Sequence, residues 1–367
     1  MKKTDFKTVK EGNTSVLVSN KKETIKGPGK KEGLPFYNPS MELNRDLSVV
    51  VCQWLINNNK RPLKILDGLA ASGIRGFRLA NEVDGDFEVT INDWNKDSYS
   101  LIRENLKKIN KKNVFAENKN LNILLSEKKY DYIDIDPFGS PVDFVDSAMR
   151  SIKHNGIIAA TATDTATLCG VYPKVCKRRY GVKPFHSSVM HETGLRILLG
   201  FFCREAAKFD KGIKPVICYS TDHYFRLYLR VKNGIGHANE SMKNYSTIKS
   251  NKLTLSDEKV VDVGPLWSGK LQNKIAISEL INILFEKQLK TKNSLWKMLD
   301  IIEEEADSSA FYYNSDELSS IFKKSPPKMK TIFEELKNKG FEVTRTHFSP
   351  TGFKTDAGVK EIEKMFK

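Results

Sequence analysis

Long apolar runs, paired cysteines and a surplus of acid are all missing from this 367-residue chain. No apolar stretch approaches the ~18 residues of a membrane span, and the Lys-rich residues 1–31 contain no apolar signal core. Both absences point to a cytoplasmic protein with no membrane partner. The five cysteines (Cys52, Cys169, Cys176, Cys203, Cys218) form no Cys-x-x-Cys pair. An odd number without a framework suits reduced thiols and argues against a structural zinc site. Asp and Glu number 45 against 60 Lys and Arg, a formal charge of +15. That excess favours a polyanionic partner, nucleic acid above all, over a merely Lys-rich background. The Gly-x-Gly-x-x-Gly fingerprint is missing too, which disfavours a nicotinamide enzyme. Gly68 and Gly73 have phosphate-loop spacing, but Ile74-Arg75 stands where Lys-Ser/Thr is required, so triphosphate binding is disfavoured.

What is present is alternation of strand and helix signals. "NRDLSVVVCQWLIN" (44–57) has helical apolar spacing, "LKILDG" reads as a buried strand ending at Asp67, and "SGIRGFRLANEV" opens a helix. "FEVTINDWN" is a strand ending at Asp93, followed by the helix "KDSYSLIRENLKKIN". "YDYIDIDPFG" is the third clear strand, "VDFVDSAMRSIK" a helix, "NGIIAATATD" a fourth strand and "TGLRILLGFFCREAAKF" a helix. "KPVICYSTDHYFRLYLRVK" gives one or two strands. This order predicts an α/β fold with a parallel, doubly wound sheet and ligands at the carboxyl ends of its strands. The pattern lasts to Lys232, so one domain is expected over 1–232, with a short arm or hairpin in 1–33. The polar stretch after residue 232 opens a smaller α+β domain, 233–367. Its helix–helix–hairpin order near 315–357 resembles a winged helix, a module used on nucleic acids and for protein contacts alike.

Three acids sit where strands end. Asp67 leads into "GLAASGIRG", whose small residues allow close backbone approach to a ligand; a plain tight strand–helix turn is the alternative. Asp93, 26 residues further on, can accept hydrogen bonds from ribose hydroxyls. As an alternative it caps the next helix. The pair suits an adenosine-bearing cofactor with no phosphate requirement, such as S-adenosyl-L-methionine. Asp136 follows the third strand and is trailed by Pro137 and Phe138, much like the Asp/Asn-Pro-Pro-Tyr/Phe element of amino-group methyltransferases. An exocyclic amine is a weak nucleophile because its lone pair is delocalised into the ring. A carboxylate and a backbone carbonyl that accept its two N–H bonds free that lone pair and stabilise the positive charge that develops. An aromatic ring beside them can stack on a base that has left its helix. The alternative has Asp136 capping a turn and Phe138 in the core. Upstream, Phe36 and Tyr37 are candidates to face the base and Arg45 to meet the methionine carboxylate of the cofactor; the alternative is an ordinary turn and helix start capped by Asn44 or Asp46.

Taken together, the segments "FYNPSMELNRDLSV", "LDGLAASGIRGFR", "NDWN", "YDYIDIDPFGSP", "TATDTATLCGVYPKVCKRRYG", "HETGLRILLG" and "GPLWSGKL" resemble the tRNA (guanine-N2)-dimethyltransferase family of archaeal and eukaryotic type. The resemblance runs from about Glu11 to the C-terminus. It implies a Rossmann-like, S-adenosyl-L-methionine-dependent methyltransferase domain acting once or twice on the amine of guanine 26 in tRNA. It puts Arg45, Arg75 and Asp93 on the cofactor and Asn120 and Leu121 beside the adenine. Asp136 and Pro137 would hold the guanine amine, with Phe36 and Phe138 on either side of the base. The chain departs from the family twice. Asn120-Leu121-Asn122 replaces the usual Asp-Ala-Asn, and the four cysteines that many relatives carry before "GPLW" are absent, so no metal is expected. The basic runs 174–183 and 323–330 are candidates for tRNA phosphate contacts, or for solvated faces. The oligomeric state is open, with a monomer favoured. Two rivals stand: a methyltransferase acting on another amine in DNA or protein, and a tRNA-binding protein with a dead fold. Intact Asp67, Asp93 and Asp136 argue against the second.

Overall fold

The structure is a computed structural model that describes residues 6–20, 35–109, 111–221, 223–252, 254–255 and 260–366. The remainder of the expected N-terminal arm lies outside these. The chain opens with a hairpin, β1 (Phe6–Glu11) and β2 (Thr14–Ser19). There follow α1 (Glu42–Asn57), β3 (Leu63–Asp67), α2 (Ile74–Glu82), β4 (Phe87–Asn92) and α3 (Lys96–Ile109). Next come β5 (Val114–Glu117), α4 (Leu121–Glu127), β6 (Tyr130–Ile135), α5 (Val142–Ser151) and β7 (Ile152–Ala162). Three helices, α6 (Thr165–Leu168), α7 (Pro173–Tyr180) and α8 (Met190–Ala207), lead to β8 (Lys211–Thr221) and β9 (Tyr224–Asn233).

Seven strands form one sheet in the order β5-β4-β3-β6-β7-β9-β8. The first five in that order are parallel, while β9 runs antiparallel to both β7 and β8. The expected parallel sheet is therefore closed at one edge by a reversed hairpin. The link between β8 and β9 is far too short for a crossover, so they must pair antiparallel. Strand β5 and the short helices α4, α6 and α7 have no counterpart in the sequence reading. Four residues, with Phe115 half exposed at the sheet edge, give too little alternation to register.

The central strands are apolar on both faces, as strands covered by helices on both sides must be. Successive residues divide between two cores: Ile133, Ile135, Ile158 and Ala160 face one, Tyr132, Ile157 and Ala159 the other. Helix α1 is buried nearly all round, which fits its run of Val49, Val50, Val51 and Cys52. Downstream lie α9 (Ile235–Met242), β10 (Tyr245–Ser250), β11 (Val261–Trp267), α10 (Lys274–Glu286) and α11 (Lys292–Glu304). Leu280, Leu284, Leu295 and Leu299 of α10 and α11 join the core that contains α1. Then β12 (Tyr313–Asn314), α12 (Ser315–Phe322), α13 (Met329–Asn338), β13 (Val343–Arg345), β14 (Gly352–Thr355) and α14 (Val359–Glu363) build a module with its own apolar cluster around Leu318, Ile332 and Phe353. Its strands pair β12-β14-β13, so the helix–helix–hairpin order read from sequence is present. Among the described residues, no helix is long and apolar enough to cross a membrane.

Candidate active site

The sheet order reverses between β3 and β6, and chemistry in such folds collects at that crevice. A cavity of about 440 Å³ opens there. All eleven sequence-nominated residues line it: Phe36, Tyr37, Arg45, Asp67, Arg75, Asp93, Asn120, Leu121, Asp136, Pro137 and Phe138. They come from seven separate segments of the chain, so the sheet topology, not sequence proximity, assembles them.

Asp67 ends β3, and its Oδ2 accepts the Gly76 N–H at 2.9 Å. Burial pushes its carboxyl up to about 7, against the pull of Arg75 and with the nearby charges of Asp134 and Asp136 adding to the rise. The turn beyond is tight. A Cβ on Gly68 would lie 2.8 Å from the Asp134 carbonyl oxygen. Gly73, at φ 78, opens α2 in a left-handed conformation that favours glycine. Ala71 also sits at positive φ (48°), and its N–H donates to Asp93 Oδ2 at 2.7 Å. Asp93 accepts the Asn95 N–H through Oδ1 at 2.9 Å. Burial raises its pKa, opposed by those two backbone donors. Asp93 is not the helix cap: Asn95 takes that place, accepting the N–H groups of Asp97 (2.8 Å) and Ser98 (3.1 Å). Asp93 is thus released for a role at the cavity.

Asn120 caps α4, its Oδ1 accepting the Asn122 N–H at 2.9 Å. The acceptor that the family resemblance assigns to the adenine is therefore already engaged by backbone. Leu121 is buried, with its methyl groups packed under Gly68.

Arg45 points at the cavity but is held by the N-terminal hairpin. Its Nε and Nη2 donate to Glu11 at 2.8 and 2.5 Å, and Nη2 donates to the Asn38 carbonyl at 3.0 Å. Tyr37 donates to the same Glu11 carboxylate at 2.8 Å. Glu11 is buried, yet the pull of Arg45, Tyr37 and Arg78 outweighs burial and leaves its pKa lowered.

The three acids of "YDYIDIDPFGSP" separate into three roles. Asp131 enters β6 and is tied by Arg61, by Lys153 at 2.9 Å and by the Lys64 N–H at 2.8 Å. Asp134 is fully buried and takes a forked pair from Arg226 of β9, at 3.0 and 2.6 Å. Arg226 and Arg75 together outweigh its burial and lower its pKa. Asp136, just past the strand, has 23% of its side chain exposed to the cavity and bonds Arg75 Nη2. Arg75 Nη1 in turn donates to Asn44 Oδ1 (2.7 Å) and Ser48 Oγ (2.6 Å), and its Nε lies 3.6 Å from Asp134. A chain of opposite charges, Arg226–Asp134–Arg75–Asp136, thus runs from the sheet core to the cavity mouth. Sequence reasoning missed Arg226, Asp134, Asn44 and Ser48 as parts of this site. Arg226 carried a usable signal: an Arg placed mid-strand in the apolar run "YFRLYLRV" needs a partner if it is buried.

At the mouth, Phe36 and Phe138 meet edge to face with centroids 5.0 Å apart. Trp94, 68% exposed, and Phe144 also line the opening. Gly139 and Thr163 pair through Gly139 N–H to Thr163 Oγ1 (2.7 Å) and Thr163 N–H to the Gly139 carbonyl (2.9 Å). This fixes the loop that follows β6.

Sheet order, reversed edge and acid-lined crevice together define a Rossmann-like fold of the methyltransferase type. The family model for N2,N2-dimethylguanosine tRNA methyltransferases matches residues 12–367, and the chain belongs to that family. A tRNA (guanine(26)-N(2))-dimethyltransferase of Methanobrevibacter smithii is 38% identical over 352 residues, covering 90% of this chain and 91% of the relative. That of Pyrococcus abyssi is 37% identical, covering 95% of each. The solved Trm1 from Pyrococcus horikoshii, in complex with S-adenosyl-L-methionine, superposes with a TM-score of 0.86 at 33% identity, covering 98% of this chain and 99% of that one.

Proposed function

We propose that this chain transfers one or two methyl groups from S-adenosyl-L-methionine to the N2 amine of guanine 26 in tRNA. The observation that carries the reading is the position of Asp136. Its carboxylate shares one cavity with acid and amide side chains (Asp67, Asp93, Asn120) and with two aromatic rings (Phe36, Phe138).

The residues present fit the cofactor. The volume is that of a small-molecule site, its lining includes the small residues Ala70, Ala71 and Ser72, and Asp93 keeps lone pairs free for a ribose diol beyond its two backbone bonds. Arg45, Asp67, Arg75, Asp93, Asn120 and Leu121 would hold it. S-adenosyl-L-methionine, when bound, supplies a methyl group on a positively charged sulfur. The protein's part is to make the amine reactive. Asp136 and the Pro137 carbonyl accept the two N–H bonds and direct the lone pair inward. Arg75 holds the Asp136 carboxylate from behind, leaving its other oxygen for the amine. The base must leave its helix to arrive there. For it to lie between Phe36 and Phe138, the rings must part from 5.0 Å to ~7 Å, two stacking contacts of about 3.5 Å. The open mouth beside Phe144 and Trp94 leaves room for that movement.

Residues 233–367 are proposed to contact the body of the tRNA. Their helix–helix–hairpin order and exposed Lys323, Lys328 and Lys330 support this. The reading has the chain acting as a cytoplasmic monomer.

The test is incubation with radiolabelled S-adenosyl-L-methionine and unmodified tRNA transcripts, one carrying adenine at position 26. Label in the guanine transcript alone, recovered as N2-methylated guanosine, is the expected result. Equal label in both moves the target elsewhere in tRNA, and label in neither sinks the reading.

A further inference from the structure

Helix α7 and its leading turn are not used by the catalytic reading above, yet they are built against it. We infer that this element is a seat for the tRNA strand next to the target nucleotide: Tyr172 stacks on a neighbouring base, and Lys174, Lys177 and Arg178 grip its phosphates. The inference rests on the tRNA reading of the main site.

Three observations converge. Val171 and Tyr172, 53% and 56% exposed, project where an apolar pair has no structural reason to face water. Lys174, Lys177, Arg178 and Arg179 are all exposed on the helix that follows. Among the described residues only Arg179 of these four has an acidic partner, Asp164 at 3.1 Å. An aromatic face beside unpaired cations is the composition that holds single-stranded nucleic acid: every base offers a π-face, every phosphate a charge.

The third observation is the helix's attachment. Tyr180, at its C-terminal end, is buried and bonds Ser140 Oγ at 2.8 Å, and its hydroxyl reaches both Asp164 oxygens at 2.9 Å. Ser140 lines the active cavity, two residues from Phe138. Asp164 directly follows Thr163, which is paired to Gly139. The seat is therefore joined through one hydroxyl to the loop that presents Asp136, Pro137 and Phe138. A strand held on α7 is held in fixed register with the base pocket. One turn of sequence thus sets both the catalytic loop and the RNA beside it.

Filter binding of an unmodified tRNA transcript across a salt series tests this. The proteins are the parent, Tyr172→Ala, the triple variant Lys174→Ala/Lys177→Ala/Arg178→Ala, and the charge-matched triple Lys108→Ala/Lys111→Ala/Lys112→Ala. The last three lysines are exposed at the far end of α3, on the amino side of the sheet. The α7 triple should bind about tenfold or more weakly near physiological salt, with a log–log salt slope smaller by about two to three. Tyr172→Ala should weaken binding by about tenfold with the slope unchanged. S-adenosyl-L-methionine binding should match the parent in both, which excludes misfolding. Unchanged tRNA affinity in both α7 variants overturns the proposal. Equal losses in the α3 triple overturn it as well, because diffuse charge attraction then accounts for the effect. A parent that binds tRNA in this way but transfers no label to it overturns the catalytic reading alone.

Discussion

Two of the buried charge networks among the described residues differ in where they end. The first, Arg226–Asp134–Arg75–Asp136, finishes at a carboxylate that faces a cavity of about 440 Å³. The second joins α8 to the C-terminal module. Glu192 accepts from Arg196 at 3.0 and 2.8 Å and from the Phe311 N–H at 2.9 Å. Lys354 lies 3.3 Å from Glu192 and 3.4 Å from Glu305. Glu305 also takes the Thr346 hydroxyl at 2.7 Å and a contact from His347. Its acids are buried like Asp134, and their pKa values are lowered as well, the charges of their cationic partners outweighing burial. Yet each acid in it has a cation within 3.4 Å, and the cavity beside it is only about 150 Å³. Perturbed charge alone does not mark a reactive site. What separates the two is one carboxylate oxygen turned toward space large enough for a ligand.

The comparison can be attacked from its strongest point downward. Asp134→Asn should harm both fold and chemistry. It leaves Arg75 and Arg226 facing one another in the core, at a cost of about 3–5 kcal/mol in urea unfolding, and it loosens Arg75 behind Asp136. Unchanged stability would show that the first network is ornamental. Asp136→Asn should leave unfolding within about 3 °C of the parent but lower methyl transfer about a thousandfold, as expected for removing one charged contact made to the reacting group. Transfer near the parental rate in that variant would remove Asp136 from the chemistry.

Glu305→Gln should do the reverse: lower stability, with transfer per folded molecule intact. Burial raises the Glu305 carboxyl, but the charges of His347 and Lys354 and two hydrogen bonds outweigh it and bring it down to about 2. Its folded pKa lies below the unfolded value near 4.5, so its contribution is complete above pH ~4.5 and is lost as pH falls toward 2. The size is about 3 kcal/mol. Thermal unfolding between pH 2 and 6 should be flatter in Glu305→Gln than in the parent; parallel curves would deny the second network its role. The smallest effect belongs to Asn120→Asp. Asn and Asp cap helices equally well, so stability should move by a few tenths of a kcal/mol at most. Calorimetric titration should show S-adenosyl-L-methionine binding a few-fold tighter. A large loss of affinity would mean that the Asn120 amide donates to the ligand.

Much of the site was readable before the fold. Asp is a poor strand residue, so Asp67, Asp93 and Asp136 at strand ends announced themselves. The glycines after Asp67 marked a close turn for the same local reason. Strand β5 did not announce itself, being four residues long at an edge. The reversed β8–β9 hairpin was also hidden, since alternation looks the same in either direction. Arg75 was nominated for the cofactor, but its bonds to Asp136, Asn44 and Ser48 were not foreseen. No local pattern carries that choice.

The division has a physical basis. Sequence by itself determined which residues are chemically costly where they stand: acids at strand tips, an Arg amid an apolar strand, a basic excess over the whole chain. Those costs are local, because they arise from solvation and backbone preference. Only the tertiary structure decided how each is met. Arg226 reaches Asp134 across 92 residues of chain, and Arg75 reaches Asp136 across 61. Partners that far apart are chosen by sheet order, which places β9 beside β7 and β3 beside β6. The pairing of charges, and with it the one carboxylate left open to a ligand, is a property of that order.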